Sequence, residues 1–99
     1  MKVFKDLVFK VRGGENIHAV EKFDNGFSIS VVAGEMLYST PRENMGSADD
    51  FSTFEVAILN DEGRFTREFF PNDHPDDVLG WQERGQINAL MLLIQSKKL

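Results

Sequence analysis

The chain contains no cysteine, one tryptophan, one tyrosine, two histidines and three prolines in 99 residues. Without cysteine there are no disulfides, no thiolate metal ligands and no thiol nucleophile, and a reducing compartment is the natural setting. The longest apolar run, Ala89 to Ile94, is six residues, far short of the ~20 a membrane-spanning helix requires. The opening Met1-Lys2-Val3-Phe4-Lys5-Asp6 is interrupted by charge throughout, so it does not read as a secretory leader and the cytoplasm is the expected location. Positive charge is also in deficit: eleven Lys and Arg against sixteen Asp and Glu leave a net charge of −5. Nucleic acids and anionic lipids are gathered by clustered basic side chains, so direct binding to either is not expected, and attraction runs toward basic proteins.

Apolar residues make up 41% of the chain, and nine phenylalanines supply bulky core material. A chain of this length cannot divide its core between two units, so residues 1–99 form one domain. The expected class is α+β: an antiparallel sheet of about five strands, containing two hairpins, packed against one C-terminal helix. Leu7, Phe9 and Val11 alternate with Val8, Lys10 and Arg12, which predicts a strand from about Phe4 to Arg12, broken at Gly13-Gly14. A second strand carries Ile17, Ala19 and Phe23 on one parity. Phe23-Asp24-Asn25-Gly26-Phe27 then reads as a hairpin turn, since Asn and Gly tolerate left-handed backbone. A three-residue loop places Phe23 opposite Phe27; a two-residue turn places it opposite Ser28. The first matches apolar to apolar and is preferred, although it puts Glu21 on the core side, where it must lie near an edge.

The third strand is expected over Phe27 to Ala33, with extended chain resuming at Met36-Leu37-Tyr38 after Gly34. Ser39 to Asp50 reads as the longest loop. Phe54, Val56 and Ile58 define a fourth strand, and Asn60-Asp61-Glu62-Gly63 a turn into a fifth, from Arg64 to about Phe70, with Phe65 and Phe69 inward. Pro71 and Pro75 make the following segment a linker, in which Trp81 is expected to pack over the first turn of the helix. From about Glu83 the period becomes helical, with Ile87, Leu90, Met91 and Ile94 at i, i+3, i+4 and i+7. Leu92 and Leu93 either fold inward or leave an apolar edge exposed.

Chemistry-bearing residues are sparse. Asp73, His74, Asp76 and Asp77 are the types that bind a divalent cation, but three acids in so short a stretch equally describe a solvated loop or a turn cap. His18 has no partner that the sequence identifies, Ser28 and Ser30 lack a nucleophile elbow, and Gly13-Gly14-Glu15 is too short to cradle a phosphate. No catalytic, cofactor or metal set is therefore expected, and the chain reads as a non-enzyme. The residues best suited to bind a protein partner are Tyr38, Arg42, Asp49, Asp50, Asp76, Asp77 and Trp81: aromatics, an arginine and acids beside irregular segments.

Three stretches carry a resemblance: Phe23 to Val32 (FDNGFSISVV), Phe54 to Leu59 (FEVAIL) and Asp77 to Trp81 (DVLGW). They are similar to those of a group of small bacteriophage proteins of unassigned function, which share a "DNGYG-SV" hairpin, a "YE-AVL" strand and a "DVLGY" segment before a terminal helix. Phe27 stands where that group has Tyr, Ser28 where it has Gly and Trp81 where it has Tyr, and the Thr40 to Asp50 loop is longer. The resemblance implies a phage or prophage gene expressed in a bacterial cytoplasm and transfers no catalytic residue. Three roles follow as expectations: an accessory factor that binds a host or phage protein, an acidic mimic of nucleic acid, and a virion or assembly component forming a homo-oligomer.

Overall fold

The computed structural model of the chain describes residues 1–11 and 16–98. The strands are β1 (Lys10–Val11), β2 (Ile17–Lys22), β3 (Ser28–Ala33), β4 (Phe54–Leu59) and β5 (Val78–Gln82), followed by the helix α1 (Arg84–Ser96). All strand pairs are antiparallel and neighbours follow chain order, β1-β2-β3-β4-β5. The α+β arrangement of a five-stranded antiparallel sheet under a C-terminal helix is the expected one. No helix among the described residues is long and apolar enough to cross a membrane.

The hairpin between β2 and β3 takes the three-residue loop. Phe23 N–H donates to Phe27 O at 2.8 Å, Gly26 sits at φ +93, and Ala19 pairs with Val31. Glu21 then faces the core side, as this register demands, but β1 covers β2 only at Ile17 and His18, so Glu21 reaches Lys2 at 3.6 Å. Ile17, Ala19, Ile29, Val31, Phe54, Val56 and Ile58 form the buried face of the sheet, and Ile87, Leu90, Met91 and Ile94 of α1 close over it. Leu92 and Leu93 stay outside, 42% and 52% exposed.

Four expectations about elements need correction. The segment from Phe4 is not a strand: Phe4–Asp6 is a 3-10 turn, and extended pairing begins only at Lys10. Side chains compete for its backbone here, since Asp6 Oδ2 accepts from Val3 N–H at 2.8 Å and Asn88 Oδ1 from Phe4 N–H at 2.7 Å. Phe4 and Phe9 are drawn onto Phe54, with ring centroids 5.1 and 5.7 Å away. Arg12 and the break expected at Gly13-Gly14 lie outside the described residues.

Met36-Leu37-Tyr38 is a turn rather than extended chain, closed by Leu37 N–H to Gly34 O at 3.2 Å, with Met36 at φ +69. The predicted return strand Arg64 to Phe70 amounts to one bridge, Leu59 with Phe65, and Phe65 is 58% exposed rather than inward. Its neighbours are held by rings instead of a ladder: Phe69 meets Phe27 edge-on at 5.2 Å, and Phe70 meets His74 at 5.3 Å. The fifth strand is Val78–Gln82, in the segment expected to be a linker.

The ends of α1 are tied to distant turns. Asn25 Nδ2 donates to Ile94 O and Lys97 O at 2.8 and 2.9 Å, reinforcing the C-cap bond in which Ile94 O accepts from Lys97 N–H at 3.2 Å and giving the carbonyl just past the helix end a donor. Replacing Asn25 by Ala is expected to lower stability by about 1–2 kcal/mol and to speed amide exchange in the last helical turn. Urea unfolding combined with hydrogen exchange checks this, and unchanged protection at the helix C-terminus contradicts it.

Candidate functional site

Among the described residues, the pairing of the edge strand β5 with β4 contains the one register shift of the sheet. Phe54 pairs with Gln82 and Val56 with Leu79, so Glu55 alone opposes two residues, Gly80 and Trp81. This is a β-bulge, and it changes which way the tryptophan faces. Leu79 packs against the core; in an unbroken strand Trp81, two residues on, shares its face and points inward. The extra residue and a left-handed backbone at Trp81, φ +53, turn the ring out instead, and it is 54% exposed. A bulky residue in that region is an outlier that costs about 1–2 kcal/mol.

What holds Trp81 there is Tyr38. Trp81 N–H donates to Tyr38 O at 2.8 Å, and the two rings stack with centroids 4.9 Å apart and 26° between planes. Tyr38 is positioned in turn by its own N–H donating to Glu55 Oε1 at 3.2 Å, the same Glu55 that faces the bulge. Arg42 adds a cation: its guanidinium carbon lies 5.5 Å from the Tyr38 ring centroid, fixed by Nε donating to Leu37 O at 3.0 Å. The close approach depends on Gly80. A Cβ added there falls 2.8 Å from Tyr38 Cβ, closer than two carbons approach, so only glycine lets the turn that carries Tyr38 lie against β5.

The structure therefore brings together three of the seven residues read from the sequence, Tyr38, Arg42 and Trp81, into one exposed platform. The expectation that Trp81 packs over the first helical turn is corrected: its partner is Tyr38. The four acids are placed elsewhere. Asp49 and Asp50 belong to a 3-10 turn, Ala48–Asp50, that Arg84 fastens to the start of α1 by donating to Ala48 O and Phe51 O, both at 2.8 Å. Asp76 and Asp77 precede Val78, at the opposite end of β5 from Trp81, and Asp77 pairs with Arg67 at 3.4 Å. Sequence reasoning missed Gly80 and Glu55 as positioning residues. The available signal was a glycine inside a strand-like run directly before an aromatic, which marks a bulge or a close backbone approach.

His74 supports the start of β5. Its Nε2–H donates to Val78 O at 2.6 Å, anchoring the first residue of the strand. Among the described residues no three His, Asp or Glu side chains converge as a metal site. His18 stands in β2 opposite Val32 and Lys10, and its buried Nδ1 makes no hydrogen bond among the described residues. No family model, curated protein or solved structure matches the chain.

Gly80→Ala is expected to separate Tyr38 from Trp81 at a cost of about 1–3 kcal/mol, the usual penalty for overfilling a tight contact. Near-ultraviolet circular dichroism of the single Trp and single Tyr, with thermal unfolding, reads both effects. An unchanged aromatic spectrum in Gly80→Ala contradicts the stack as the reason for the glycine.

Proposed function

We propose that this chain is a non-enzymatic interaction protein that binds a protein partner through the Tyr38, Arg42 and Trp81 platform. The observation that carries the reading is Trp81 itself: the chain accepts a left-handed backbone at a bulky residue, with the result that an aromatic ring leaves the core for solvent. Strain of this kind persists where the surroundings over-determine it, and it concentrates at functional positions. Trp, Tyr and Arg are the residues most enriched at binding hot spots, where a few anchors supply most of the affinity. The net charge of −5 favours a basic partner and assigns to Asp49, Asp50, Asp76 and Asp77 the role of raising the encounter rate.

The source we propose is a phage or prophage gene acting in a bacterial cytoplasm, with a host or phage protein as the partner; the support is the hairpin, strand and Val-Leu-Gly-Trp segments described above. Glu21 with Lys2, Asp77 with Arg67 and Glu68 with Lys97 pair opposite charges across the surface. Interspersed signs of this kind support a discrete aromatic anchor over mimicry of a nucleic-acid backbone, which needs carboxylates segregated on one side.

The test is affinity capture from a bacterial lysate with tagged protein and two variants. Trp81→Asn tolerates the left-handed backbone, so it keeps the fold while removing the ring. A partner retained by the native chain is expected to bind Trp81→Asn and Arg42→Ala at least about 30-fold more weakly, corresponding to about 2 kcal/mol for a hot-spot residue. Asp76→Asn with Asp77→Asn is expected to weaken capture mainly at low salt. Equal capture by the native chain and by Trp81→Asn contradicts the proposal.

A further inference from the structure

Asn25 and Gly26 set up a covalent reaction as well as a turn. Asn25 is the one asparagine of the chain that is followed by glycine, the least hindered context for deamidation, because glycine has no side chain to shield its backbone nitrogen. In that reaction the Gly26 nitrogen, having lost its proton to solvent, attacks Asn25 Cγ. The N–Cγ bond forms, the Cγ–Nδ2 bond breaks, and Nδ2 takes up a proton and leaves as ammonia. Water then opens the succinimide ring at either carbonyl, leaving aspartate or isoaspartate at position 25. The native contacts oppose each step. Gly26 N–H donates to Phe23 O at 3.0 Å, which holds its proton in place. The Asn25 carboxamide is held from both ends: Nδ2 donates to Ile94 O and Lys97 O at 2.8 and 2.9 Å, and Oδ1 accepts from Phe27 N–H at 3.3 Å. Attack at Cγ turns a planar amide, whose two donors fit the helix end, into a tetrahedral centre whose donors do not, and loss of ammonia gives up both carbonyls.

We infer that Asn25 is a deamidation site guarded by the end of α1: the reaction follows opening of the last helical turn and, once it has occurred, keeps that turn from closing as before. The product cannot restore the contact. An oxygen in place of Nδ2 sets acceptor against acceptor at Ile94 O and Lys97 O, and the new negative charge lies at the negative end of the helix dipole. It adds to a net charge of −5, next to Asp24 in the turn and close to Asp61, whose Cβ lies 3.0 Å from where a Cβ on Gly26 would stand. Lys97, at the helix end, is already paired with Glu68 and lies 5.4 Å from the Phe27 ring centroid. Isoaspartate also adds an atom to the main chain within the loop that Phe23 N–H to Phe27 O closes at 2.8 Å, the loop that fixes the β2 to β3 register. Each excursion of the helix end is thereby open to being recorded as a permanent change in the hairpin that supports it.

Deamidation kinetics of the full chain test this. Mass spectrometry of the peptide carrying position 25 follows conversion of the amide to the acid in neutral buffer, with and without urea. The folded chain is expected to convert at least about 10-fold more slowly than the unfolded chain. Leu93→Gly, at an exposed position in the last helical turn, and the milder Ser96→Gly loosen that turn without touching Asn25 or Gly26, and are expected to speed conversion several-fold in the folded state. Equal rates with and without urea overturn the guard, and rates in both glycine variants equal to that of the native chain overturn its assignment to the end of α1. The consequence is read with Asn25→Asp. Its amides in the last helical turn are expected to exchange faster than those of Asn25→Ala, with the difference shrinking at high salt; equal exchange in the two variants overturns the repulsion.

Discussion

The constraint on which the rest of the structure depends is that one thirteen-residue helix has to cover a five-stranded sheet. Its apolar stripe is narrow, so the polar groups along its flanks do additional holding. Arg84 reaches back to Ala48 O and Phe51 O while its guanidinium lies 5.2 and 5.1 Å from the ring centroids of Phe4 and Phe54. Asn88 accepts from Phe4 N–H, and Gln95 bonds both the N–H and the carbonyl of Lys2. Asn25 caps the far end. Three irregular segments that border the core, the N-terminus, the Phe23 to Phe27 turn and the Ala48 to Phe51 turn, are tied in this way to the helix or its end, which is how a small domain keeps loops ordered without disulfides or a metal.

With the core secured from that side, the opposite edge of the sheet is free to depart from regularity. Strand β5 takes an extra residue at Gly80 and Trp81, and its backbone groups find other partners: Val78 O accepts from His74, Gly80 O from the Gln82 side chain at 3.1 Å, and Trp81 N–H donates to Tyr38 O. Occupied groups and a bulge make this edge a poor template for a further strand. What it offers a partner is therefore side chains, an aromatic pair with a cation over one ring, which is why the functional reading rests on an anchor and not on strand addition.

The parts of the fold governed by local chemistry were legible in the sequence. Asn25-Gly26 defined its hairpin, the match of Phe23 to Phe27 chose the register, and the spacing of Ile87, Leu90, Met91 and Ile94 gave the helix face. Strand β5 was not legible, because Val78-Leu79-Gly80-Trp81 is short, follows Pro75, and loses its period of two at the bulge. Arg64 to Phe70 misled for the converse reason: it alternates well, yet Phe69 and Phe70 pack against Phe27 and His74, contacts that periodicity does not encode. At the site, Tyr38, Arg42 and Trp81 were recognisable by residue type. Their union depends on a turn at Met36 and on the missing Cβ of Gly80, both properties of the tertiary fold.

The orientation of Trp81 is the hinge of the account, and the chain's single tryptophan makes it directly measurable by intrinsic fluorescence with acrylamide quenching. A ring turned out by the bulge predicts native emission close to that of indole in water, ready quenching, and little spectral change on unfolding. Blue-shifted, poorly quenched emission that moves to the red in denaturant would place Trp81 in the core and contradict both the bulge and the platform built on it.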